Sequence, residues 1–130
     1  MTRDLLADAT TAALAKTLDG AATRHRAIAE NIANVDTPGF QRADVSFENE
    51  LQAALTHAQS HPRTALERIR GVQPRLLRDT TSPARADGNN VDVDREMARV
   101  AQNALEFEAA ARALATKLRM LRTAVSEGKR

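Results

Sequence analysis

Apolar residues recur along the C-terminal third of the chain with helical periodicity. Val93, Met97, Val100, Ala104, Phe107, Ala111, Leu114, Leu118, Leu121 and Val125 follow one another at alternating spacings of four and three, the a/d seam of a coiled coil. From Val93 to Val125 such a helix is a rod about 50 Å long. Asp92, Asp94 and Glu96 at its start, and Lys117, Arg119, Arg122, Lys129 and Arg130 toward its end, suit the helix dipole. Asp92 or Asp94 can cap the first turn, and Gly128 offers a stop. The N-terminal segment carries a weaker version of the pattern through Leu14, Leu18, Ala21, His25, Ile28, Ile32 and Val35, with Leu5 and Leu6 upstream and out of register. Gly20 inside it costs about 1 kcal/mol relative to Ala. His25 reads as a polar member of a helix contact, because no second His or carboxylate stands at a spacing that would complete a site.

Between the helices the periodicity lapses. Pro62, Pro74 and Pro83 gather there with Gly71, the composition of a connector. The expected fold is therefore all-α: two long terminal helices forming an antiparallel coiled-coil hairpin, joined by a largely irregular Pro/Arg-rich middle segment. Residues 1–36 and 91–128 would make one coiled-coil domain, and 37–90 a turn, an extended segment and a connector. A single two-helix hairpin with an Ala-rich seam exposes most of its circumference, so the chain reads as a subunit of something larger.

Composition narrows the function. The 130 residues include three Phe, no Tyr, no Trp and no Cys. Burial must come from small aliphatic side chains, and thiol catalysis, thiolate metal sites and disulfides are excluded. No apolar run reaches the roughly 18–20 residues of a membrane span. The first residues lack the apolar core of a signal peptide, so secretion is expected to proceed without a cleaved leader. The net charge is only +2, distributed as −3 over 1–60, +4 over 61–86 and +1 over 87–130. A nucleic-acid-binding zipper, or a coiled-coil adaptor, is the rival reading. The zipper would place a basic helix directly before its heptads, whereas Asp87, Asp92, Asp94 and Glu96 stand there. An enzyme is disfavoured because His25, His57 and His61 lack partners at motif spacing and no Gly-rich phosphate loop exists. No cofactor is called for. A calcium loop begun at Asp87 fails, since Asp92 and Ala98 occupy the places of its Gly and Glu.

Two short strings carry more. Asn31-Ile32-Ala33-Asn34 is followed after two residues by Thr37-Pro38-Gly39-Phe40. Asn34 can terminate the first helix, Pro38 forces Thr37 out of the α region, and Pro38-Gly39 fits a type II turn with Gly where φ is positive. The whole string resembles the N-terminal signature of flagellar rod and hook axial proteins, with Phe40 in place of the usual Tyr. At the other end Asp87-Gly88-Asn89-Asn90-Val91-Asp92-Val93-Asp94-Arg95-Glu96-Met97 resembles the stretch that opens the terminal helix in the same family, with Asn90, Val91, Asp92, Glu96 and Met97 as its core. The short chain, and the lack of an Ala-Asn pair after Glu-Met, look most like the proximal-rod members. The resemblance covers 1–51 and 87–130; residues 52–86 match nothing.

The resemblance implies a structural subunit of the bacterial flagellar basal-body rod, assembled helically around an axial channel and passing torque. Leu14, Leu18, Ile28, Ile32, Val100, Phe107, Leu114, Leu118 and Leu121 would form the assembly seam. Its partners would be copies of itself, other rod proteins, membrane-ring and rod-base junction proteins and the flagellar export apparatus, with no nucleic acid and no direct membrane insertion. Its place would be the periplasmic rod. Phe47 and Leu51 match the spacing of an export-gate signal in early substrates of that apparatus; as an i, i+4 pair they fit ordinary helix packing equally well.

Overall fold

The computed structural model describes residues 8–128 with their side chains and, for 2–7, the helical backbone. Leu5, Leu6, Lys129 and Arg130, counted above toward the terminal helices, have side chains outside the described residues. Six elements follow in order: α1 (Thr2–Ala33), β1 (Ala43–Ser46), α2 (Glu48–Ser60), α3 (Pro62–Arg70), β2 (Arg75–Arg78) and α4 (Val93–Glu127). The chain is mainly helical, as expected, and the two long helices lie side by side. Asn31 meets Glu96, Arg24 meets Glu106 and Asn103 meets Ala21. The later part of α1 meets the start of α4 and its middle meets residues further along α4, so the pair is antiparallel.

Three expectations need correction. The middle is ordered. Pro62 sits in the first turn of α3, where its missing N–H costs nothing, and Pro74 stands just before β2. The prolines mark boundaries between short elements. β2 pairs antiparallel with β1 in the register Ala43↔Arg78 to Ser46↔Arg75, so a two-stranded ribbon interrupts the all-α chain.

The second correction concerns the seam. On α4 the buried residues are Glu96, Asn103 and Ala110, whereas Val93, Met97, Ala104, Phe107, Leu118, Leu121 and Val125 are exposed and only Val100, Ala111 and Leu114 are half-buried. Moving each of Met97, Ala104 and Ala111 back by one residue gives the observed set, so the helix is turned by part of one residue's 100° about its axis. Side-chain amides and small residues bring α4 close to α1, and hydrogen bonds at Glu96 and Asn103 set its rotation. On α1 the expected positions fare better: Ala21 and Ile28 are buried, Leu14, Leu18, Ile32 and Val35 half-buried. His25 is exposed and no part of a contact core.

The third concerns where the apolar core lies. It joins Ala9, Ala13 and Ala27 of α1 to Val45, Phe47, Leu51, Ala54, Ala58, Ala65, Ile69 and Val72. The middle segment therefore supplies most of it. Phe47 explains Gly20: a Cβ there would lie 2.3 Å from Phe47 Cε1. The glycine counted above as a helix cost is the notch into which the core's one buried aromatic ring fits.

Candidate functional site

The two motifs, more than fifty residues apart in sequence, meet at one end of the long-helix pair. α1 stops after Ala33. Asn34 accepts the Thr37 N–H at its carbonyl (3.0 Å) and the Thr37 hydroxyl at Oδ1 (3.1 Å). Phe40 N–H then closes on Thr37 O at 3.2 Å, with Gly39 at φ +73°: the turn anticipated for Pro38-Gly39. Pro38 and Ala33 are exposed, Phe40 and Ile32 half-buried, and Arg78 lies over the Phe40 ring at 5.4 Å.

The second motif closes over this turn. Gly39 N–H donates to Asp87 O at 2.8 Å. Gly88, at φ +82°, comes so near that a Cβ on it would meet Gly39 Cα at 3.3 Å. Asn89, fully buried, donates from Nδ2 to both Asn34 O and Thr37 O at 2.9 Å, and its Oδ1 accepts from Val91 N–H at 2.8 Å. One amide side chain thus ties together two carbonyls of the turn that follows α1. Asp92 then caps α4, accepting from Arg95 N–H at 3.2 Å.

Beneath the turn lies a buried polar cluster. Asn31 pairs with the backbone of Ala43 through two 2.8 Å bonds, Nδ2 to Ala43 O and Ala43 N–H to Oδ1. Its Nδ2 also reaches Glu96 Oε2 at 3.0 Å. Arg42 Nε donates to Glu96 Oε1 at 2.7 Å and Nη1 to Asp79 Oδ2 at 3.3 Å. Asn90 Oδ1 accepts the Arg42 N–H and its Nδ2 donates to Asp79 O, both at 2.7 Å. Glu96 is 1 % exposed and Arg42 6 %. Burial works against the guanidinium's charge, but Glu96, Asp44 and Asp79 outweigh it and raise its pKa. Asp79 is held well below the usual carboxylate range by Ser82 and Thr81.

The cluster is a lock: α1 gives Asn31, the approach to β1 gives Arg42, the loop from β2 to α4 gives Asp79 and Asn90, and α4 gives Glu96, each bonded to a group on another element. Arg42 and Asp79 are the members that sequence reading missed. Arg42 offered no periodic or motif signal, and its role exists only because Glu96 faces it. Met97, next to Glu96 in the motif, is 56 % exposed. Phe47 and Leu51 lie elsewhere, 3 % and 8 % exposed, in the apolar core. Among the described residues no group of three or more Asp, Glu or His is placed to hold a metal ion.

The segment from mid-α1 through the turn, residues 14–41, matches the model of the family described as flagella basal body rod protein. The flagellar basal body rod protein FlgB of Borrelia hermsii is 39 % identical over 105 residues, 69 % of this chain and 76 % of that one. Its counterpart from Salmonella typhimurium strain LT2 is 33 % identical over 119 residues, 82 % and 86 % of the two chains. The chain belongs to the flagellar basal body rod protein family. It is a structural subunit of the rod, and its place is the flagellar basal body. The FlgB of Bacillus subtilis strain 168, 29 % identical, extends the likeness to 89 % of this chain. In this rod subunit both motif strings serve one purpose, fixing the end of α1 to the start of α4.

Proposed function

We propose that the subunit takes its place in the proximal rod by offering the outward apolar stripe of α4 to neighbouring axial subunits, with residues 1–36 and 91–128 as its inner domain. One observation carries this. Val93, Met97, Phe107, Leu118, Leu121 and Val125, at heptad spacing on one helix, stand 39–65 % exposed, a stripe on a helix whose other face is already used against α1. Repetition of the contact around an axial channel gives a helical assembly able to pass torque. Copies of this chain and other rod proteins are the first partners. Membrane-ring and rod-base junction proteins follow from a place at the rod's base. No described helix is long and apolar enough to cross a membrane. The export apparatus delivers the chain, and Phe47 and Leu51 are its gate signal, legible only before folding buries them.

Leu118→Asp or Leu121→Asp places a carboxylate on the stripe without disturbing the fold, since neither side chain is buried in the subunit. Loss of motility and of rods in isolated basal bodies is the expected result, because each contact would desolvate an unpaired charge. Arg112→Asp is the control: its pair with Glu108 is a surface i, i+4 pair, worth only a few tenths of a kcal/mol. Normal rods with either stripe variant would overturn the proposal.

A further inference from the structure

Away from the motif junction, two imidazole rings stack at the corner between α2 and α3. His57 lies in the last turn of α2. His61 closes that helix and opens the next, as the single residue between Ser60 and Pro62. The ring centroids are 4.2 Å apart with planes 15° from parallel. His57 Nδ1 is buried and without a hydrogen-bond partner. Ala54 and Ala58 of α2 and Ala65 and Ile69 of α3 belong to one buried apolar cluster, so opening the corner exposes apolar surface that the neutral stack helps to keep covered.

We infer that the His57–His61 stack is an acid-sensitive hinge: neutral rings hold α2 and α3 together, and their protonation drives the corner open. Two imidazolium rings at this spacing repel, and Arg68 of α3 acts on His57 with a third charge of the same sign. Asp8 and Lys16 flank the stretch of α1 that carries Ala9 and Ala13 into the same core; neither is paired with these groups. Glu67 of α3 and the first-turn Glu48 and Glu50 of α2 are not paired with them either, so among the described residues no carboxylate neutralises the cluster. Partial burial of its ring, then Arg68 and His61, lower the pKa of His57 below its ordinary 6.5. Its folded pKa being depressed, the stability that the neutral stack contributes is complete above pH 6.5 and is lost as pH falls below it. Ordinary carboxylates have pKa values near 4, well below the imidazole range.

Hydrogen exchange on the full chain at pH 7.5 and 5.5, corrected for the intrinsic rate, reads the corner directly. Amides of residues 52–70 should lose protection several-fold at pH 5.5 while the first turns of α4 keep theirs. His57→Gln/His61→Gln should hold one level of protection at both pH values, and His25→Gln, on exposed α1 surface, should behave as the parent chain. In the unsubstituted chain the His57 ring protons should titrate with a midpoint below 6.5. A corner equally protected at both pH values, a loss that persists in the double variant, a corner unprotected even at pH 7.5, or a His57 midpoint at or above 6.5 would each overturn the hinge.

Discussion

At Glu96 a side chain 1 % exposed joins three elements, taking Arg42 of the approach to β1 on one oxygen and Asn31 of α1 on the other. Replacing it with Ala leaves the buried Arg42 guanidinium without its closest partner, a change that costs about 3–5 kcal/mol, and frees the end of α1 from α4. Urea unfolding should show the midpoint fall accordingly, with Glu96→Gln milder because its amide still accepts from Arg42. Gly20 sets two principles against each other. Intrinsic propensity says that Gly20→Ala in a helix stabilises by about 1 kcal/mol. The Phe47 ring, 2.3 Å from the added Cβ, says that the core must shift, at about 1–3 kcal/mol. The structure decides for destabilisation. Pairing it with Phe47→Leu should recover part of the loss, a coupling that a double-mutant cycle measures directly.

Among the elements, α2 is the one whose two readings can now be separated. Phe47 and Leu51 pack inside the subunit, so Phe47→Ala/Leu51→Ala must cost stability, about 3–5 kcal/mol for a buried Phe alone. Retention in the cytoplasm would not by itself reveal an export signal. Ile69→Ala empties the same core from α3 without touching the pair. The gate reading expects the double variant to accumulate inside cells while Ile69→Ala is secreted at normal levels, as measured by fractionation. Equal secretion of both would leave Phe47 and Leu51 as packing residues. The contrast between α1 and α4 has a similar lesson. Heptad spacing located both helices, yet on α4 it named the wrong inward face, because Asn103 donates to Ala21 O at 2.8 Å and a hydrogen bond to backbone outweighs which methyl groups turn inward.

For the whole molecule, electrostatics sets the acid limit. Asp44 and Glu48 are partly buried, which raises their pKa, but Arg99 and Arg24 respectively more than offset this; Asp79 is lowered by Ser82 and Thr81, and Asp87 by Asn89. All four pKa values are depressed in the folded chain. Their stabilisation is therefore present above the unfolded carboxylate range near pH 4 and is lost as pH falls through and below it. A urea midpoint that declines steeply below pH 4, and does so less when Asp79 is replaced by Asn, is the expected course. Stability unchanged between pH 5 and pH 3 would contradict it.

Much of this architecture is local in origin and could be read from the chain. The two long helices follow from their apolar period, the end of α1 from Asn34 and the obligate Pro38-Gly39 turn, the start of α4 from Asp92, and rod membership from the two motif strings. These depend on residues a few positions apart. What the sequence left open depends on residues far apart in it. That Asn31 and Glu96 are partners, that Arg42 joins the motifs at all, that Asn89 holds the turn after α1, and that Gly20 is a socket for Phe47 required the chain to be folded. So did the packing of the middle segment, whose short helices cover their apolar faces against α1 and against each other. An apolar period states that a face will be covered. The choice of which face, and by what, belongs to buried hydrogen bonds and close contacts that exist only in three dimensions.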